Sequence, residues 1–209
     1  MDISPRVKTR LVLVALALVV ARPSLADGWD LGLGPAFVNV SSPQLSSNGT
    51  YLGFRLFGGY RWERLGFEVS VTSPGQKLDT LPTTTIDYPA DRAEFSVVDV
   101  SLRFDFLSLQ THTWSPYVQI GYGLAFLDWQ TYAYSLAGTA VTLGAGADVR
   151  LHAGLFLRVG FSWISAGTSD PYGDATYTLA STSLFVTLGW QFGLAPLPAT
   201  GGAAVPAAP

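Results

Sequence analysis

Val98-Asp99-Val100-Ser101-Leu102-Arg103-Phe104-Asp105-Phe106 alternates without a break between large apolar residues and small or charged ones. Successive side chains on a strand point to opposite faces, so this stretch divides into one apolar face and one polar face. A helix would instead gather its apolar residues every three or four positions. The same alternation recurs through the chain. Leu52, Phe54 and Leu56 oppose Tyr51, Gly53 and Arg55; Phe67, Val69 and Val71 oppose Glu68, Ser70 and Thr72. Val118 to Phe126, Val141 to Leu151, Leu155 to Trp163 and Leu184 to Phe192 repeat it. An eighth strand, Trp29 to Val40, is interrupted by Pro35, which lacks the N–H a ladder needs, so a bulge or register break is predicted there.

Composition says what such strands face. Hydrophobic residues make up 48% of the 209 and charged residues only 13%, about half the charge usual for a soluble domain. No stretch beyond the N-terminus supplies the ~20 consecutive apolar residues of a membrane helix. The membrane solution left is a closed barrel that pairs every backbone group internally. Absence of Cys excludes disulfides, thiolate metal sites, a cysteine nucleophile and a lipid-modified N-terminal cysteine.

Three segments are expected. Residues 1–26 read as a cleavable signal peptide, with Arg6, Lys8 and Arg10 basic, Leu11 to Ala21 apolar, and Ser24-Leu25-Ala26 ahead of Asp27. Residues 27–192 form the barrel, and 193–209 an uncharged, disordered Ala/Pro/Gly-rich tail. Removing the leader takes four basic residues and one acidic residue, leaving 8 against 14 and a net charge of −6. No nucleic-acid partner is expected of so acidic an exported chain.

Long polar connections (Ser41 to Gly49, Ser73 to Ala93, Gln130 to Ala140, Ile164 to Ser181) alternate with short ones near Trp62, Ser108 to Trp114, and Ala153. Outer-membrane barrels have this asymmetry, with short periplasmic turns and longer external loops. Both termini then fall on the periplasmic side. Trp29, Trp62, Trp114 and Trp190 come near the turn-side rim, Trp129 and Trp163 near the loop-side rim, as an aromatic girdle requires.

Pro116-Tyr117-Val118-Gln119-Ile120-Gly121-Tyr122-Gly123 and Leu143-Gly144-Ala145-Gly146-Ala147-Asp148-Val149-Arg150 resemble strands of the small outer-membrane β-barrel family, the group of the OmpA and OmpX transmembrane domains. The resemblance runs from about Trp29 to Phe192. It implies an all-β, eight-stranded, antiparallel, transmembrane up-and-down barrel in the bacterial outer membrane. It also implies contact with lipid and lipopolysaccharide, and insertion by the barrel-assembly machinery through a C-terminal signal ending at Phe192. The family's final aromatic usually stands at or near the chain end, whereas a short tail follows it here.

In a soluble barrel such as a lipocalin, hinted at by Gly28-Trp29, the apolar set would point inward. Here that set is too bulky for one narrow interior, and the opposite set of Gly, Ala, Ser, Thr and charges suits a small polar lumen. Arg55, Glu68, Asp99, Arg103, Asp105, Asp148, Arg150 and Arg158 are therefore predicted inside as a charge-balanced network. Unpaired, each would carry a desolvation cost of several kcal/mol.

No catalytic, cofactor-binding or metal-binding constellation is read from the sequence. A lipid A deacylase needs a hydroxyl nucleophile beside a His base, whereas His112 and His152, the two histidines present, fall at predicted turns. The expected function is a structural or interaction barrel with a filled polar lumen and loops for an external partner. A narrow pore and a lipid A-modifying enzyme are the alternatives. Acidic and aromatic loop residues, including Asp87, Asp91, Asp170, Asp174, Tyr88 and Tyr172, would supply any contact surface.

Overall fold

The computed structural model describes residues 28–42, 49–75, 77–79, 92–129, 134–169 and 176–193. The expected leader and all but Gly193 of the expected tail lie outside the described residues, as do the six loop residues named above. Nine strands follow in order: β1 (Gly28–Ser41), β2 (Gly49–Trp62), β3 (Leu65–Ser73), β4 (Lys77–Asp79), β5 (Arg92–Asp105), β6 (Trp114–Trp129), β7 (Tyr134–His152), β8 (Leu155–Ser169) and β9 (Thr176–Gln191). Neighbours pair antiparallel, β3 pairs with β5, and β1 pairs with β9. The result is a closed eight-stranded up-and-down barrel. Short β4 extends the β3 side along β5 after an interruption at Pro74 and Gly75, where Gly75 takes a φ of 66°.

Pro35 does not shift the register. Gly34 pairs with Arg55, Pro35 with Phe54 and Ala36 with Gly53 in unbroken sequence. Towards β9 the same offset holds for Leu33 with Leu188 and Ala36 with Phe185, with rungs missing only at Gly34 and Pro35. Proline's fixed φ is compatible with extended chain, and pairing on both sides holds the strand straight through its missing N–H. The irregularity lies instead between Arg150 and His152, beside the β7–β8 turn.

Strands also reach further into the long connections than the sequence pattern indicates. β7 starts at Tyr134, β8 runs to Ser169 and β9 starts at Thr176. The reason is a change of polarity on the outer wall. Leu31, Leu33 and Phe37 of β1 are exposed outward, but the next outward residues are Asn39 and Ser41, while Ala36, Val38 and Val40 are buried inside. Phe37 pairs with Leu52 and Leu184, and Asn39 pairs with Thr50 and Thr182, so the change falls at one level across three strands. The Asn39 amide donates to the Thr50 hydroxyl at 3.0 Å on that outer face. Beyond this level the wall is that of a water-soluble barrel, apolar within and polar without. Below it, the outward apolar run spans Val98 to Phe106 along and just past β5 and Leu184 to Phe192 along and just past β9, matching the ~9–11 residues of a tilted membrane strand.

Candidate functional site

With the wall oriented, polar chemistry among the described residues is concentrated in the interior. On the turn side of the barrel, Asp148 accepts from three arginines: Arg61 at 2.6 Å, Arg103 at 2.8 Å and Arg158 at 2.8 Å. Glu68 pairs with Arg55 at 3.1 Å and also with Arg158. Asp30 pairs with Arg61 at 2.6 Å and with Arg158 at 3.5 Å, and Asp105 pairs with Arg103 at 2.5 Å. Four guanidinium groups and four carboxylates thus form one connected, neutral network. Charges withdrawn from water are tolerable when their partners and remaining hydrogen-bond sites are supplied in this way.

The arginines also lie over inward-facing aromatic rings. Arg103 sits 3.7 Å from the Tyr117 ring centre and Arg158 3.8 Å from that of Phe57. Arg55 lies 4.7 Å from Phe185 and Arg61 5.2 Å from Phe156. A cation over a ring face gains most when both are desolvated. Glycines on facing strands make room for these rings. A side-chain carbon at Gly160 would come within 2.6 Å of the Tyr117 hydroxyl and 2.5 Å of the Phe185 ring, and one at Gly189 within 2.7 Å of Phe156.

All eight residues predicted for the lumen are buried. Six belong to the network, which also recruits Asp30 and Arg61. Asp30 follows the alternation of β1 and Arg61 that of β2, so both were reachable by extending the pattern to the strand ends. Asp99 stands outside it, bound by hydroxyl groups: Ser101 Oγ at 2.9 Å, Ser70 Oγ at 3.1 Å and Thr142 Oγ1 at 3.3 Å. Arg150 lies at the turn-side mouth, where it donates to the carbonyl of Leu109 at 3.0 Å. That bond holds the β5–β6 turn against the barrel end, with Leu109 itself buried. The inward aromatics Phe57, Tyr117 and Phe156 escape a reading that fills the lumen with small and charged residues, whereas Phe185 stands opposite Leu184 in the strand alternation.

A second correction concerns filling. Instead of being polar throughout, the loop-side half of the interior is an apolar cluster that includes Val38, Val40, Phe95, Val97, Leu127, Ile164 and Leu179. Along the lumen the described residues place, in order, the Leu109 turn, the ionic network, a hydroxyl layer around Asp99 and the apolar cluster.

On the outer face at the turn side, Trp29, Tyr60, Trp62 and Phe67 form one aromatic cluster, with Tyr60 stacked edge-on against Trp29 and Trp62 at 5.0 Å each. Trp114, Trp163 and Trp190 are exposed outward, and Trp129 ends β6. Phe192 is exposed too, its N–H donating to the Trp29 carbonyl at 2.8 Å. His112 and His152 are exposed at turns, away from the buried acids.

A family model for the outer membrane protein β-barrel domain matches residues 11–192. Neisserial surface protein A shares the fold with a TM-score of 0.58 at 17% identity, over 78% of this chain and 97% of that protein. OprG from Pseudomonas aeruginosa gives 0.50 at 14% identity, over 80% and 96%. At these identities the likeness is one of fold alone. No curated protein sequence matches the chain. The chain belongs to the outer membrane protein β-barrel family and is a small barrel of the bacterial outer membrane.

Proposed function

We propose that this member of the outer-membrane barrel family is a closed scaffold: it stabilises the envelope and presents its loop side to an external partner, without passing solutes. One observation supports the reading: side chains follow one another along the lumen from Leu109 through the Asp148 network to the apolar cluster. An eight-stranded barrel has room for little beyond side chains, and these occupy it.

In this reading the short turns and both termini face the periplasm, and the long connections face outward, where lipopolysaccharide surrounds the polar collar above Phe37. The Trp cluster anchors the turn side among lipid headgroups. Phe192, outward-facing at the close of the last strand, is the assembly signal for the barrel-assembly machinery. No catalytic role is assigned, because neither histidine shares the lumen with the buried acids and hydroxyls. External recognition is assigned to the loop side.

The test is planar-bilayer conductance together with thermal unfolding, for the wild type and Arg103→Ala. This substitution breaks contacts to Asp105, Asp148 and the Tyr117 ring. Expected is a lower unfolding temperature, with neither protein giving a large conductance, because the apolar cluster still seals the barrel. A folded Arg103→Ala barrel with a large new single-channel conductance would sink the scaffold reading in favour of a narrow pore.

A further inference from the structure

Asp99 is the buried carboxylate that forms no ion pair within the ionic network. The network balances four arginines against four acids without it, and no guanidinium forms an ion pair with Asp99 among the described residues. Arg55 acts on Asp99 by its charge without pairing with it: its two terminal nitrogens are engaged by Thr72 at 3.1 Å and Glu68 at 3.1 Å, and its Nε has no hydrogen-bond partner among the described residues. Arg150 is at the far mouth of the barrel, eight residues along β7 from Thr142, roughly 26 Å of strand.

Around Asp99 the structure supplies oxygen. Ser70 Oγ is 3.1 Å from both carboxylate oxygens, with Ser101 Oγ and Thr142 Oγ1 completing the ring. Gly121 lies between Ser101 and Thr142 in register, and Gly123 faces Asp99 itself. A side-chain carbon at Gly123 would come within 2.9 Å of the Asp99 Cβ. One step along β6, the Gln119 amide lies over Gly144, the next inward position on β7 from Thr142. Gln119 is 5% exposed, and both its amide oxygen and its amide nitrogen have no hydrogen-bond partner among the described residues. Buried polar atoms without partners are rare enough to need a cause.

We propose that Asp99, with the hydroxyl groups of Ser70, Ser101 and Thr142, forms a binding site for one small monovalent cation of the sodium class, with the Gln119 carbonyl turned towards it. The ligands are hard oxygens throughout, the set that alkali and alkaline-earth ions prefer. Charge selects between these. One carboxylate beside a network already neutral is balanced by a single positive charge, whereas a divalent ion would leave an uncompensated charge inside the membrane. The site supplies a local counter-charge to Asp99 at the level where the ionic half meets the apolar half.

A ligand that binds only the folded state raises stability saturably with its concentration. The test is the urea unfolding midpoint of the full chain refolded in detergent, in sodium chloride against choline chloride at equal ionic strength. Expected is a higher, saturable midpoint in sodium for the wild type and no difference for Asp99→Asn. Ser101→Ala should raise the half-saturating sodium concentration several-fold, and carries the test alone if Asp99→Asn does not fold. The proposal is overturned by equal wild-type midpoints in the two salts, by a sodium response that survives Asp99→Asn, or by an unchanged half-saturation in Ser101→Ala. An infrared carboxylic-acid band at neutral pH that Asp99→Asn deletes and sodium leaves intact would overturn it too, since the balancing charge would then be a proton.

Discussion

The turn-side half of the lumen holds eight charged side chains gathered about Asp148, whereas the loop-side half is filled by side chains such as Val97, Leu127 and Ile164. The two halves are built from the same eight strands with the same alternation of faces. What differs is the solvent outside. Where the outer wall is apolar, as at Leu33 and Leu102, the polar members of each strand have only the interior to occupy. There they must satisfy one another. Where the outer wall carries Asn39, Thr50 and Thr182, the ordinary hydrophobic effect puts the apolar members inside. Interior composition is thus the inverse of the surroundings, level by level.

The largest expected effect breaks the ionic half. Asp148→Ala leaves Arg61, Arg103 and Arg158 without their common acceptor, a loss of about 3–5 kcal/mol. Urea unfolding of the refolded barrel measures it, and a change under 1 kcal/mol would mean the network contributes little. Leu127→Ala strikes the apolar half, where Leu127 is 2% exposed; cavity formation there should cost about 2–5 kcal/mol. Its distinguishing mark is that the ionic network is left whole, so combining it with Asp148→Ala should give additive losses. Strong coupling between the two would show the halves to be a single unit. The smallest effect tests the boundary itself. Leu33→Arg, within the apolar wall, should cost about 2–4 kcal/mol, and Asn39→Arg, beyond it, no more than about 1 kcal/mol. Equal costs for the pair would remove the distinction between band and collar.

Much of the barrel was legible because lipid makes a strict demand. Stretches such as Val98 to Phe106 and Leu155 to Trp163 show their apolar face outward with no competing signal, and their inward partners Asp99, Arg103, Asp105 and Arg158 follow from parity alone. Legibility failed where the demand changed sign. Ile164, Ala166 and Leu179 continue the inward parity of Ser162 and Ser183, but beyond the band they look like part of a loop, so the ends of β8 and β9 and the apolar half were both lost. Inside the band, Phe57 and Phe156 escaped for another reason. Their seats are Gly32 and Gly189 on neighbouring strands, a pairing visible only once register is known. Pro35 misled in the opposite direction: its local defect is real, but two flanking strands hold the ladder against it.

The change of polarity between Phe37 and Asn39, matched by Leu52 and Thr50 and by Leu184 and Thr182, also acts as a depth stop. Sinking by one inward–outward repeat, roughly 7 Å along the strand, would drag a row of amide and hydroxyl groups into hydrocarbon. Rising by the same step would put a row of Phe and Leu into water, and both moves cost free energy on all three strands at once. The barrel's height above the bilayer is therefore written into its strands, and whatever the loop side meets, it meets at a fixed distance from the membrane.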